Sequence, residues 1–258
     1  MKAIILAAGS GTRLLPYTAG RPKCLVEIAG QSLLDRQIAV MRSQGIDDIT
    51  VITGYLAEKI ERAGISKLVA PNYERTNMVA TLFLAAEIMN SGDDVIVSYG
   101  DIVYEERVLA RLLDCEAPIC LSVDVEWKRF WSARMPNPLA DAETLKIDGS
   151  GNVIELGKKP SDYSEIEAQY IGLIKFNASM ARQLVEIYEG MDRNGEFDGK
   201  DFDNMYMTTF LQMLIDSGVQ AKAVKIENGW LEVDAPEDLA MYNDMHAKGT
   251  LSQFIELF

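Results

Sequence analysis

Lys2-Ala3-Ile4-Ile5-Leu6-Ala7-Ala8-Gly9-Ser10-Gly11-Thr12-Arg13-Leu14, closing at Arg21-Pro22-Lys23, decides how this chain is read. Residues 3–7 are a short continuous apolar run ended by a glycine-rich turn, the pattern of a strand buried on both faces of a sheet. Gly9 and Gly11 remove Cβ atoms that would hold a ligand off the backbone, so successive N–H groups can face a phosphate or a base edge. Arg13 adds a planar guanidinium fork at that loop, and Lys23 adds a mobile point charge. The glycine spacing alone is also explained by a plain strand-to-helix turn. No G-x-x-x-x-G-K-[ST] is present, so this is not a Walker loop, and no third glycine completes G-x-G-x-x-G.

Outward from the loop, residues 32–44 have helical apolar spacing ended by Gly45, and 48–53 form a second strand. A helix is expected over 55–63, a third strand over 67–70, a helix over 78–89 and a fourth strand over 95–98. A helix over 105–113 and a fifth strand over 119–124 follow. Alternation of this kind calls for an α/β fold, a Rossmann-like, doubly wound, mainly parallel sheet with ligands beyond the carboxyl ends of its strands. Both Gly9–Arg13 and Gly100–Asp101 lie at such ends.

In the second half, 143–147 and 152–156 flank Asp148-Gly149-Ser150-Gly151 as a hairpin. Strands are expected over 169–176 and 220–226, and helices over 178–188, 204–215 and 236–247. Residues 126–258 read as sheet completion plus a small antiparallel lobe over the cleft. The chain is therefore expected to be one domain, 1–258, with a nucleotide-binding half in 1–125 and an acceptor-binding half in 126–258. The apolar tail, Leu251, Phe254, Ile255, Leu257 and Phe258, is left to dock on the core or on another subunit, a homodimer.

Composition narrows the function. The 258 residues are 48% hydrophobic, enough for a sizeable core, yet no segment has the apolar length to cross a bilayer. The first apolar run stops too soon for a secretory leader, so a cytoplasmic protein is expected. A formal charge of −14 argues against a nucleic-acid partner. The single histidine, His246, cannot build a zinc site or a histidine-dependent triad. Cys24, Cys115 and Cys120 lack C-x-x-C spacing and read as reduced thiols.

Two carboxylates stand at strand ends. Asp101 follows the apolar run 95–99, placed to hold Mg²⁺ through one oxygen or simply to make a turn. Asp234, in Trp230-Leu231-Glu232-Val233-Asp234-Ala235-Pro236-Glu237-Asp238-Leu239, serves as a second such ligand or as a helix cap. Thr76 and Asn77 either read a pyrimidine edge or cap the following helix. Trp131, Arg134, Tyr170 and Trp230 form an aromatic wall for an ammonium group, or pack beneath a lid.

The stretch 6–14, followed by 21–23, resembles the N-terminal signature of the sugar-nucleotide pyrophosphorylase type of nucleotidyltransferase. The resemblance implies that Leu6, Ala7, Ala8, Gly9, Ser10, Gly11, Thr12 and Arg13 wrap a nucleoside triphosphate, with Gly100 and Asp101 facing them. Arg13 and Lys23 would stabilise departing pyrophosphate, and Asp101 and Asp234 would be the paired Mg²⁺ ligands. Glu155-Leu156-Gly157-Lys158-Lys159-Pro160 is similar to the family's Glu-Lys-Pro, which makes Lys159 the contact to the acceptor phosphate. Lys158 replaces the usual Glu, so which lysine reaches that phosphate stays open. Gly172 falls on a strand lining the acceptor pocket, as close-approach glycine or as bulge.

The Tyr73-x-x-Thr76-Asn77-Met78 pattern and the Trp-rich 126–139 segment look most like the small cytidylyltransferases. These load CMP from CTP onto phosphocholine-like or phosphorylated amino-acid acceptors such as phosphoglutamine, in capsule or cell-surface polysaccharide synthesis. The same chemistry on a hexose 1-phosphate with UTP, dTTP or GTP remains an alternative, as does a nucleotide-binding regulatory module without turnover.

Overall fold

A computed structural model describes residues 1–257. Its centre is a seven-stranded sheet whose interior strands are largely apolar. In chain order these are β1 (Lys2–Ala7), β2 (Ile49–Thr53), β3 (Ser66–Val69), β4 (Val95–Tyr99), then, beyond a three-residue strand β5 (Ile102–Tyr104), β6 (Ile119–Asp124). The hairpin β7 (Leu145–Ile147) and β8 (Val153–Leu156) precedes β9 (Gln169–Phe176), and β10 (Ala221–Ile226) and β11 (Trp230–Glu232) complete the strands of three residues or more. The sheet order is β10-β6-β9-β4-β1-β2-β3. Every pairing is parallel except those of β9, which runs antiparallel to both β6 and β4. β1 lies in the interior between β4 and β2. Ile4 and Ile5 are both 0% exposed, one on each face, as the unbroken apolar run requires.

Helices cover both faces. α1 (Leu33–Ser43) is capped by Ser32, whose hydroxyl accepts the Asp35 N–H at 3.0 Å. α2 (Met78–Phe83), α3 (Ala86–Met89), α4 (Glu106–Leu113), α5 (Trp127–Arg134), α6 (Ala178–Gly190), α7 (Met207–Asp216) and α8 (Pro236–Ala247) complete them. The expected helix over 78–89 is broken at Leu84–Ala85, where i→i−3 bonds tighten the turn. The helix expected over 55–63 does not form. Leu56 takes a positive φ of 48°, leaving a single 3-10 turn at Ala57–Lys59. Its side chains fasten the opening loop instead: Tyr55 Oη donates to Thr18 O and Lys59 Nζ to Gly20 O.

Cys115 and Cys120, expected as reduced thiols, are joined in a disulfide. The chain turns from the end of α4 into β6 and brings their Cα atoms to 6.3 Å, a span such a bond bridges. Cys24 is buried, and burial pushes its thiol up to about 12. The tail docks on the chain's own core: Leu251, Phe254 and Ile255 are buried, and Phe254 O accepts the Gly229 N–H. Phe258 lies outside the described residues. No helix among those described is long and apolar enough to cross a membrane.

Candidate active site

β1 delivers the chain into Gly9–Gly11, and Gly11 takes φ +61°, where a Cβ would lie 3.0 Å from Lys23 Cβ. Gly11 O also accepts the Thr18 hydroxyl at 2.8 Å, so the loop folds back toward Lys23. Beside it, β4 ends at Gly100. A Cβ there would sit 2.7 Å from Leu6 O, so only glycine lets this strand end lie against β1. Gln37 of α1 holds the next turn, its amide donating to Tyr99 O at 2.9 Å and Ile102 O at 2.7 Å. Asp101 is thereby aimed across the glycine loop.

Asp234 arrives from the other end of the chain through a pairing that no periodicity announced. β11 lies antiparallel to β5 with Glu232 opposite Ile102, and the Val233 N–H donates to Asp101 O at 3.0 Å. Strands of three residues are too short to show alternation, yet this ladder puts the two carboxylates together. Lys23 Nζ bonds Asp101 Oδ2 at 2.8 Å and Asp234 Oδ1 at 2.6 Å, and Arg13 Nη2 reaches Asp234 Oδ1 at 3.0 Å. Asp234 is not the cap of α8. Asp238 accepts the N–H groups of Asp234 and Ala235, leaving the Asp234 carboxylate for the cleft.

The electrostatics follow from these contacts. Burial works against the Lys23 ammonium, but Asp101 and Asp234 outweigh it and raise its pKa above the ordinary lysine value. Burial likewise opposes the Asp234 carboxylate, and Lys23, then Arg13, hold it below the usual range. Glu232, a residue the sequence reading did not single out, lies with them. One ligand oxygen from each of Asp101, Glu232 and Asp234 falls within 4.8 Å of the others. Asp101 Oδ1 is buried with no hydrogen-bond partner among the described residues. Hard carboxylate oxygens gathered this closely, with an unpartnered Asp101 oxygen beside them, fit a hard divalent cation such as Mg²⁺.

Two cavities meet here. One, about 300 Å³, is lined by all of Leu6–Arg13 together with Lys23, Thr76, Asn77, Gly100, Asp101 and Asp234. The second, about 870 Å³, is lined by Trp131, Lys158, Lys159, Tyr170, Gly172 and Trp230 among others. Arg13, Met78, Tyr99 and Asp234 belong to both, so the cavities are continuous. Their sizes are those of ligand pockets.

Most expected acceptor-side residues thus share one cavity, with differing roles. Trp131 and Trp230 are held by their indole N–H groups, which donate to Asp141 at 3.0 Å and Asp124 at 2.9 Å. Tyr170 meets Tyr99 edge-on at 5.8 Å. What closes on Gly172 is protein: a Cβ at its φ of +81° would lie 2.5 Å from the Tyr99 ring, at the irregular register of β9. Lys158 pairs with Glu155 at 3.0 Å, and Lys159 donates to the carbonyls of Leu139 and Ala140. Asn77 caps α2, accepting the Met78 N–H at 2.7 Å, and the Thr76 hydroxyl goes to Asn72 O. Arg134, expected to line the acceptor pocket, does not face it. It is buried behind the wall against Asp238 and Glu232, because two carboxylates there outcompete solvent for its guanidinium.

Sequence reading gave Glu143 no site role. Its carboxylate lines the second cavity and makes no hydrogen bond or ion pair among the described residues. It opens the segment 143–147, expected as a hairpin strand, two residues after Asp141, and no spacing there sets one acid apart.

A Rossmann-like sheet whose glycine loop and strand-end carboxylates confront each other across two joined cavities defines a nucleotidyltransferase. Residues 3–148 match the family model of the MobA-like NTP transferase domain, and the chain belongs to that family. A CTP:phosphoglutamine cytidylyltransferase of Campylobacter jejuni is 43% identical over 249 residues, covering 93% of this chain and 98% of that protein. Two solved structures share the fold. The inositol-1-phosphate CTP transferase of T. maritima superposes with a TM-score of 0.70 at 19% identity, covering 99% of this chain and 98% of that one. The CTP:phosphocholine cytidylyltransferase of Streptococcus pneumoniae gives 0.67 at 21% identity, covering 95% and 98%.

Proposed function

We propose that this enzyme transfers CMP from CTP to a small phosphorylated amino compound, phosphoglutamine- or phosphocholine-like, releasing pyrophosphate with Mg²⁺ as cofactor. The observation that carries the reaction type is the meeting of Asp101 and Asp234 opposite the Gly9–Arg13 loop, where the two cavities join. Support for CTP and for this acceptor class is the near full-length similarity to the phosphoglutamine enzyme. An aromatic and acidic acceptor cavity, with Glu143 unpaired in it, suits a cationic amino group.

In this reading an acceptor phosphate oxygen attacks the α-phosphorus of CTP in line. The new P–O bond forms as the bond to the β-phosphate oxygen breaks, and pyrophosphate leaves with the electron pair. No protein nucleophile is needed, and the residues position and neutralise. Backbone N–H groups of the loop face the triphosphate. Arg13 and Lys23 carry the positive charge that meets the leaving pyrophosphate, and Lys158 or Lys159 guides the acceptor. Asp101 and Asp234 would hold Mg²⁺, which supplies Lewis-acid neutralisation of the phosphate charge when bound.

The test is pyrophosphate release with CTP, UTP, GTP and dTTP, each against phosphoglutamine, phosphocholine and glucose 1-phosphate. Release is expected with CTP and an amino acceptor. Release confined to the hexose phosphate would instead make the chain a sugar-1-phosphate nucleotidylyltransferase. Nucleotide binding without release under every pairing would make it a regulatory module.

A further inference from the structure

Arg134 ends α5, and its side chain is only 2% exposed. Nε and Nη2 each lie 3.0 Å from one oxygen of Asp238, and Nη1 lies 3.0 Å from Glu232. Asp238 Oδ2 in turn accepts the backbone N–H of Asp234 at 2.9 Å and of Ala235 at 3.1 Å. A continuous line of contacts therefore runs from α5 to the peptide that carries the Asp234 carboxylate. A bidentate fork fixes both the plane and the direction of Asp238, which a lysine's point charge does not. Glu232 is the third acid beside Asp101 and Asp234, and it is the one Arg134 engages directly.

We infer that Arg134 is a positioning residue: through Asp238 it sets the backbone of Asp234, and by engaging Glu232 it leaves Asp101 and Asp234 to take the divalent cation. The inference rests on the Mg²⁺ site proposed above. One turn earlier on the same helix, Trp131 lines the acceptor cavity. α5 thus carries an acceptor-facing ring and a ligand-positioning guanidinium on adjoining turns.

Mn²⁺ in place of Mg²⁺ gives a readout besides turnover. The full chain, Arg134→Lys and Asp238→Asn are titrated with Mn²⁺ in the presence of CTP and without acceptor, binding being followed by water-proton relaxation. Arg134→Lys is expected to bind Mn²⁺ about tenfold more weakly and to lose kcat by about the same factor, the effect typical of an outer partner of a metal ligand. KM for CTP and for the acceptor should stay within about twofold, since no contact to either is removed. Asp238→Asn keeps an oxygen for the two amides but loses the charge facing Arg134, so it should show the same pattern more weakly. If Arg134→Lys fails to fold, Asp238→Asn decides on the same two readouts. Parent-like Mn²⁺ binding in the variants, or a loss confined to the acceptor KM, overturns the inference. A parent chain that bound no Mn²⁺ would overturn the metal assignment itself.

Discussion

Asp234→Asn lowers kcat at saturating Mg²⁺ about a hundredfold, roughly 3 kcal/mol of transition-state stabilisation, in a steady-state pyrophosphate-release assay. The amide keeps the shape of the side chain and one oxygen. It loses the charge that Lys23 Nζ meets at 2.6 Å and Arg13 Nη2 at 3.0 Å. The fold should survive, because the N–H groups at the start of α8 go to Asp238 and not to Asp234. An effect on kcat with little change in acceptor KM marks an interaction made at the reacting phosphates. Parent-like kcat in this variant would remove Asp234 from the chemistry.

Lys23→Met should cost more, about a thousandfold in kcat or roughly 4 kcal/mol. Among the described residues its ammonium is the one cation bonded to both carboxylates, and all three side chains are at most 24% exposed. The two carboxylates, with oxygens within 4.8 Å of each other, would then repel by about 3 kcal/mol at an effective dielectric of 20. The pH dependence has a definite sign. Burial alone would raise the Asp234 pKa, and Lys23 is the main charge that brings it below the ordinary carboxylate value. The stabilisation this gives is present above the ordinary carboxylate pKa and is lost as pH falls through the lowered one. Without Lys23 the carboxylate protonates at higher pH, so the acid limb of the pH–rate profile moves up. An acid limb that stayed in place would separate Lys23 from the carboxylates functionally.

Much of this architecture could be read from local pattern. The interior strands of the main sheet are largely apolar, the edge strands β3 and β10 interleave lysines, and all seven were legible, down to the bounds of β9. The glycine loop and the strand-end position of Asp101 were legible for the same reason. Features set by long-range pairing were not. The β5–β11 ladder that unites Asp101 with Asp234 is three residues long and leaves no period in the sequence. The 55–63 segment has a helical spacing, but its side chains are drawn to the carbonyls of Thr18 and Gly20, and tertiary contacts override propensity there. Arg134 and Trp131 share one short segment, so sequence alone put them on one surface. In the folded chain the Trp131 ring lines the cavity while the guanidinium turns inward to Asp238. The Cys115–Cys120 pairing depends on where α4 ends, which a spacing of five residues does not reveal.

The central claim is that the two joined cavities carry out one transfer between CTP and a phosphorylated amino acceptor. Phosphorus-31 NMR of the enzyme with CTP, phosphoglutamine and Mg²⁺ tests it directly. The account predicts new diphosphate resonances of a CDP-linked product, appearing in equal amount with pyrophosphate and absent when the acceptor is omitted. CTP converted to CDP and inorganic phosphate, or left intact beside an unchanged acceptor, would contradict it.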